Sequence, residues 1–357
     1  MTGDDLRIGA SMTGGDARVR QIRDWLASDL GLRVLRLAPA SADASFRRYF
    51  RAWLPDGATR VVMDAPPDKE DVAPFLAVAS LLEGCGVHVP HVYAADNARG
   101  MVLLEDLGSD PYLSRLQAGD DADLLYRDAL DALLRIQMRG REAAQLLPPY
   151  DRATLTREMA LMPQWFCERH LQLTLDDADR AVLADSFEFL TVEALAQPLV
   201  LVHRDYHSRN LMYLPRGNPG VIDFQDALAG AVGYDLVSLL KDCYIDWPRT
   251  RVEQWVSGYR ARLGGERLLA GSSEREFLRW FDLIGLQRHI KVLGIFARLW
   301  YRDGKNGYLP DLPRTLAYVL DGVQRFQELR GFEQWLQRRV VPLFGAANAR
   351  ARAVPSP

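Results

Sequence analysis

The chain has 357 residues, nearly half of them apolar and a quarter charged, an ordinary globular balance at a length where two domains are expected rather than one core. Its formal net charge of −3 gives no general pull toward nucleic acid or anionic lipid, and no apolar run reaches the ~20 residues of a membrane span. Three scattered cysteines, Cys85, Cys167 and Cys243, make no CxxC pair, and the first residues hold no apolar secretory core, so a reducing, cytoplasmic setting is expected.

Residues 1–16 lack periodicity and are expected to be a loose tail. From Ala17 onward Val19, Ile22, Leu26 and Leu30 recur at helical spacing, and Gly31 follows as a stop. Strand-like segments come next. "RVLRLAP" is one; "SFRRYFRAWL" is another, with Phe46, Phe50, Ala52 and Leu54 on one face; "TRVVMDAPP" is a third, ended by Pro66 and Pro67. "PFLAVASLLEGCG" predicts a helix with proline at its start and glycine at its end, and "HVYAAD" and "MVLLEDLG" predict two further strands.

After Gly108 the pattern becomes helical, in "DADLLYRDALDALLRIQ", "LTREMALMPQWFCERHL", "DADRAVLADSFEFLTVEAL", "VEQWVSGYRARL" and "EREFLRWFDLIGLQRHIKVLGIFARLWY". Only residues 198–224 break it with extended segments. The expected fold class is therefore α+β, with a small N-terminal sheet lobe over 17–107, a larger and mostly helical C-terminal lobe over 108–345, and a frayed tail over 346–357.

The interruption carries the chemistry. "PLVLV" predicts a buried strand, "HRDYHSRN" a polar loop, and "NLMYLPRGNPGVIDF" a strand, a turn and a strand ending at Asp223. Such a hairpin brings Asn210 and Asp223 to one end, close to the loop that carries Asp205. Phosphoryl transfer from a nucleotide uses these parts: a carboxylate to take the proton of the attacking hydroxyl, and a carboxylate with an amide oxygen to hold Mg²⁺ on the triphosphate. His203, Arg204, Asp205 and Asn210 satisfy the H-R-D-x-x-x-x-N spacing of a protein-kinase-like site, with Asp223-Phe224-Gln225 where such a site has D-F-G. Taken singly, Asp205, Asn210 and Asp223 would pass as loop caps and a strand end; together, with apolar strands between them, they favour the kinase-like site. His203 and His207, four apart, would suit zinc on a helix, but the preceding strand argues against one and no H-E-x-x-H glutamate intervenes. His203 is expected to brace the loop, and His207 either to brace it or to face the substrate.

The small lobe departs from protein kinases. It has no G-x-G-x-x-G, and no lysine precedes Lys69, so the strand position that usually holds one falls at Val62 or Met63. Arg47 and Arg48, after the Ser/Ala-rich loop ending at Ser45, are the nearest replacements for phosphate binding, and solvated strand arginines are an equal reading. The stretches "SFRRYFR", "VVMDAPP", "LLEDLG", "HRDYHSRNLM", "VIDFQDALAGAVGYDLVSLLKD" and "LQRHIKVLGIFARLWYRDGK" resemble the aminoglycoside phosphotransferase family of the protein-kinase-like fold, within it the bacterial anomeric kinases of N-acetylmuramate and N-acetylglucosamine. The resemblance spans residues 45 to 305. It implies a bilobal fold, ATP and Mg²⁺ as cofactors, phosphorylation of the sugar 1-hydroxyl and a place in cell-wall sugar recycling. It further implies Asp205 as catalytic base, Asn210 and Asp223 as metal ligands, and the Glu105 carbonyl and Leu107 amide against adenine, whereas Ser45, Arg47 and Arg48 are placed near the nucleotide by their position alone. Asp235 corresponds to the family's buried brace of the catalytic loop, although a plain helix-start aspartate after Gly233 reads equally well.

Sugar contacts are less determined. On the helix over 280–302, Leu286, Ile290, Leu293, Ala297 and Trp300 share an arc with His289 beside it, while Arg288, Lys291, Arg298 and Arg302 fall opposite, the usual look of a solvated stripe. The functional reading places His289 or one of the arginines Arg288, Arg298 and Arg302 at the sugar, with Gln225 and Asp226 reaching its hydroxyls. The expected partner is a small sugar, without nucleic acid or membrane, and the chain is expected to be a monomer. The rival readings are a kinase of the same fold for an aminoglycoside, choline or homoserine hydroxyl, and a nucleotide-binding pseudokinase.

Overall fold

The computed structural model describes residues 17–42, 46–264, 268–269 and 271–353. The chain forms two compact units, Met1–Ala79 with Pro90–Gly108 and Ser80–Val89 with Ser109–Pro357, so residues 80–89 go with the larger unit.

In the first unit helix α1 (Ala17–Asp24) runs into a π-helical turn over Trp25–Asp29, and Gly31 ends it at φ +62, a conformation that glycine adopts without strain. Strands β1 (Arg36–Ala42), β2 (Arg48–Trp53), β3 (Thr59–Asp64), β4 (Val92–Asp96) and β5 (Met101–Glu105) make an antiparallel sheet in the order β1-β2-β3-β5-β4. Alternation along the strands sends Leu37, Phe50, Ala52, Val62, Met101 and Leu103 to one face, where Ile22, Trp25 and Leu26 cover them. Phe46, expected on that face, precedes β2 and is 64% exposed; the strand starts two residues later than its pattern suggested. Buried Asp64 ties helix to sheet: it accepts from Arg18 Nε at 2.9 Å and from Arg48 Nε and Nη2 at 3.0 and 2.6 Å. Helix α2 (Ala73–Gly84) leads out of this unit.

In the second unit follow α3 (Tyr112–Gln117), α4 (Ala122–Arg139), α5 (Arg152–Met159), a π-helical segment over Met162–His170 and α6 (Asp177–Leu195). The single helix expected over 155–171 is thus an α-helix followed by a π segment. Pro163 has no N–H for the intrahelical ladder and lies at the change. Strand β6 (Leu199–Val202) pairs antiparallel with β9 (Leu228–Ala231), and β7 (Leu211–Met212) with β8 (Gly220–Val221). Then come α7 (Tyr234–Leu240), α8 (Arg249–Leu263), α9 (Glu274–Tyr301), α10 (Leu312–Val323), α11 (Arg330–Trp335) and α12 (Val341–Ala353).

Helix α9 organises this unit, packing against the π segment, α6, α7 and α10. Every residue from Phe281 to Gly294 is buried. The basic stripe expected in solvent is therefore buried at Arg288 and Lys291; Arg298 is half-buried and only Arg302 is exposed. The reason lies on other elements. Lys291 reaches the Glu158 carboxylate of α5 at 3.1 Å, a neutralisation invisible in the periodicity of α9 itself. Among the described residues no helix is long and apolar enough to cross a membrane.

Candidate active site

Strand β6 delivers the chain to His203 and cannot continue, because two buried carboxylates take hold of the polar residues that follow. Asp235, the second residue of α7, accepts from His203 N at 2.7 Å and from Arg204 N at 3.0 Å. Asp242, just beyond that helix, accepts from Ser208 N at 3.0 Å, from Ser208 Oγ at 2.5 Å and from Tyr244 N at 3.0 Å. The loop is clamped at both ends. Arg204 sits at φ +77, left-handed backbone that a long side chain adopts only when its surroundings hold it. Its guanidinium pairs with Glu158, which also accepts from Tyr150 Oη.

His203 is fully engaged. Its Nδ1 accepts from Asp205 N at 3.3 Å, so its Nε2 carries the proton and donates to Ile222 O at 3.1 Å, fastening the loop to the next strand. Burial pushes the ring down to about 4 against the Asp205 charge, which keeps it neutral and leaves neither nitrogen for zinc. Tyr206 Oη anchors the loop from behind, donating to Ala129 O of α4 at 2.8 Å.

The β7–β8 hairpin does what its sequence pattern suggests. Leu211 pairs with Val221, and Ile222 N donates to Asn210 O at 3.1 Å. Asn210 Nδ2 then donates both to Asp223 Oδ2 at 3.1 Å and to Asp205 O at 3.0 Å, so one amide joins the three expected residues. With its nitrogen committed to those two acceptors, the amide presents its oxygen as the free end. Asp223 is at φ +66, and its Oδ1 accepts from Gln225 Nε2 at 2.9 Å. The donor set is all oxygen, carboxylate beside carboxamide, which suits a hard divalent cation such as Mg²⁺ and not zinc. Burial would raise the Asp205 carboxyl, but His207, Lys291, Arg288 and Arg204 around it hold it below the usual range. At neutral pH it is a carboxylate, able to accept a proton.

The remaining expected residues scatter. His207 is buried, its ring edge-on to Tyr244 at 5.3 Å, and among the described residues its Nδ1 finds no partner. Asp226 is exposed. His289 donates from Nε2 to Lys241 O at 2.9 Å and stacks on Tyr318 at 4.6 Å, deep inside the unit. Arg302 pairs with its neighbour Asp303, whereas the half-buried Arg298 has an Nε without a partner among the described residues. In the first unit Arg48 is turned to Asp64, Arg47 is half-buried, and Leu107 is buried at the end of the 105–108 segment. Arg51 holds that segment, meeting Asp106 Oδ2 and Oδ1 at 2.6 and 2.9 Å and Gly108 O at 2.9 Å. Ser45 lies outside the described residues. Sequence reasoning missed Asp242, Glu158 and Arg51. The "LLKD" that ends α7 held the only local hint of Asp242, an acid at the end of an apolar run.

The profile of the phosphotransferase enzyme family matches residues 36–281, well over half the chain, with Asp205, Asn210, Asp223, Asp235 and Asp242 inside the match. The chain belongs to this family. Among relatives, the N-acetylmuramate/N-acetylglucosamine kinase of Pseudomonas putida is 45% identical over 324 residues, covering 88% of this chain and 94% of that protein. The enzyme of the same name from Neisseria meningitidis is 45% identical over 312 residues, covering 87% and 92%. In structure this phosphotransferase is similar to an ethanolamine kinase of Plasmodium vivax, with TM-score 0.61 and 11% identity over 87% of this chain and 91% of that one. It is also similar to choline kinase LicA from Streptococcus pneumoniae, with TM-score 0.60 and 14% identity over 85% and 100%. At those identities the likeness is one of fold: an antiparallel five-stranded sheet followed by a mostly helical part, as in kinases of small hydroxyl compounds.

Proposed function

We propose that this phosphotransferase is an ATP-dependent N-acetylmuramate/N-acetylglucosamine kinase that phosphorylates the sugar 1-hydroxyl, a step in cell-wall sugar recycling. The observation that carries the reading is the junction of Asp205, Asn210 and Asp223 through one amide, in a chain 45% identical to kinases of that name. Asp205 orients the 1-hydroxyl and takes its proton as the O1–P bond forms and the bond from the γ-phosphorus to the ADP oxygen breaks. Mg²⁺, held by the Asn210 amide oxygen and the Asp223 carboxylate, would supply charge neutralisation on the triphosphate. Gln225 fixes the rotamer of Asp223. The clamp of Asp235 and Asp242 keeps the Asp205 carboxylate in place, so little reorganisation accompanies transfer. The reading retains the main chain at Glu105 and Leu107 for adenine, and Arg47 for phosphate.

The test is turnover with each sugar, read by phosphorus NMR of the product, where a 1-phosphate and a 6-phosphate couple differently. The wild type should give the 1-phosphate, and Asp205→Asn should lower kcat by about two to four orders of magnitude with ATP still bound. A 6-phosphate product, or an Asp205→Asn enzyme of near-normal kcat, refutes the assignment.

A further inference from the structure

Among the described residues of this unit, the buried lysines have carboxylates. Lys241 meets Asp282 at 3.2 Å and Lys291 meets Glu158 at 3.1 Å. Arg288 is equally deep, 4% exposed, yet among the described residues no carboxylate lies within ion-pair distance of it. It donates one hydrogen bond, to Cys243 Sγ at 3.6 Å, a weak acceptor. A guanidinium this deep without an anion is costly, and a thiol is a poor substitute for one.

Its position is informative. Cys243 lies between Asp242, which clamps the catalytic loop, and Tyr244, whose ring faces His207 edge-on and carries the Arg209 guanidinium stacked at 3.6 Å. Arg288 thus meets the segment after α7 whose two neighbouring residues touch Ser208 and His207 of the catalytic loop. Burial works against its charge, and after Cys243 and Tyr234 the carboxylates that act on it are Asp205 and Asp242. A planar fork here is matched by a carboxylate, taken in bidentate fashion. The two sugars named for the relatives differ by such a group: N-acetylmuramate carries a lactyl carboxylate on O3 that N-acetylglucosamine lacks.

We infer that Arg288 is the specificity residue that recognises the carboxylate of N-acetylmuramate beside the catalytic base. This rests on the proposed function, since it names the substrate feature read by the same site. The experiment compares kcat and KM for both sugars, and for the methyl ester of N-acetylmuramate, in the wild type and in Arg288→Met, which removes the buried charge without leaving a void. For the variant, kcat/KM on N-acetylmuramate should fall about 10- to 100-fold further than on N-acetylglucosamine, chiefly through KM. The ester should show the same penalty on the wild type and little additional penalty on the variant, an outcome readable on the wild type alone if the variant fails to fold. Equal loss of kcat on both sugars would place Arg288 on the transferring phosphoryl group and overturn the inference; so would an ester as good as the free acid. A wild type that phosphorylates neither sugar would refute the proposed function and this inference with it, a result distinct from turnover of both sugars without discrimination by Arg288.

Discussion

Two acids near the catalytic loop titrate in opposite senses. Asp205 is held low by the cations around it, while burial pushes Asp235 up to about 7, helped by the Asp205 charge and opposed by the His203 and Arg204 amides and by Arg288. Ionised Asp235 accepts both amides; protonated, it turns an O–H toward a donor and the clamp loosens. For stability the sign is reversed. An acid whose folded value lies above its unfolded one contributes stability in full below the ordinary carboxylate range, and that contribution is lost as pH rises through about 7. We therefore expect kcat to rise with pH through an apparent value near 7. Asp235→Asn, which keeps one acceptor oxygen and does not titrate, should be slower at pH 8 and lose that limb. An unchanged limb in the variant would show that another group sets it. Glu158 is the complementary case: burial raises it, but Lys291 and Arg204 hold it below the usual range. Glu158→Gln leaves buried Lys291 and half-buried Arg204 without this anion, so the melting temperature should drop by several degrees, for a loss of about 3 kcal/mol or more. Adding Lys291→Met should recover part of it, and strict additivity in thermal melts would speak against a shared ion-pair network.

At the scale of elements, the π segment and α9 must be considered together. Gly294 of α9 meets the backbone where α5 gives way to the π segment: a Cβ built there would lie 2.3 Å from Leu161 C and 2.6 Å from Leu161 O. Backbone cannot swing aside as a side chain can, so Gly294→Ala must push two elements apart. The expected loss is about 1 to 3 kcal/mol in thermal or denaturant unfolding. Gly258→Ala, on α8 with nothing within 4 Å of a new Cβ, should be neutral or slightly stabilising. A Gly294→Ala protein as stable as the wild type would show that α9 does not pack as described. These elements also show where periodicity fails. Residues 177–195 and 274–301 read as helices from their own sequences and are α6 and α9. The burial of α9 could not be read from them, because Glu158, the carboxylate that makes Lys291 tolerable inside, lies more than a hundred residues away along the chain.

For the whole molecule, what was legible is what is local. Asp205 and Asn210 are five residues apart, and a short hairpin returns Asp223 to them, so spacing and turn signals suffice to bring the three together. Asp235 and Asp242 brace the loop from some thirty residues on, and no pattern within the loop announces them. Arg48 was legible as a charge but not in its role, since its partner Asp64 looks like the end of an apolar strand. That trio makes a prediction about the folded state as a whole that needs no sugar. If Asn210 and Asp223 hold the cation of a bound nucleotide, ATP with Mg²⁺ should raise the melting temperature by a few degrees at ~100 times its dissociation constant, an increment of about 2.7 kcal/mol. Chelating the metal should remove most of that shift, because the triphosphate then meets the Asp223 carboxylate directly as a like charge. Asp223→Asn should show a smaller shift with Mg²⁺ and lose less of it to chelator, since the repulsion has gone along with the ligand. An ATP shift indifferent to chelator in the wild type, or identical dependence in both proteins, would mean that the cation is held elsewhere and that Asp223 has only a local structural role after β8.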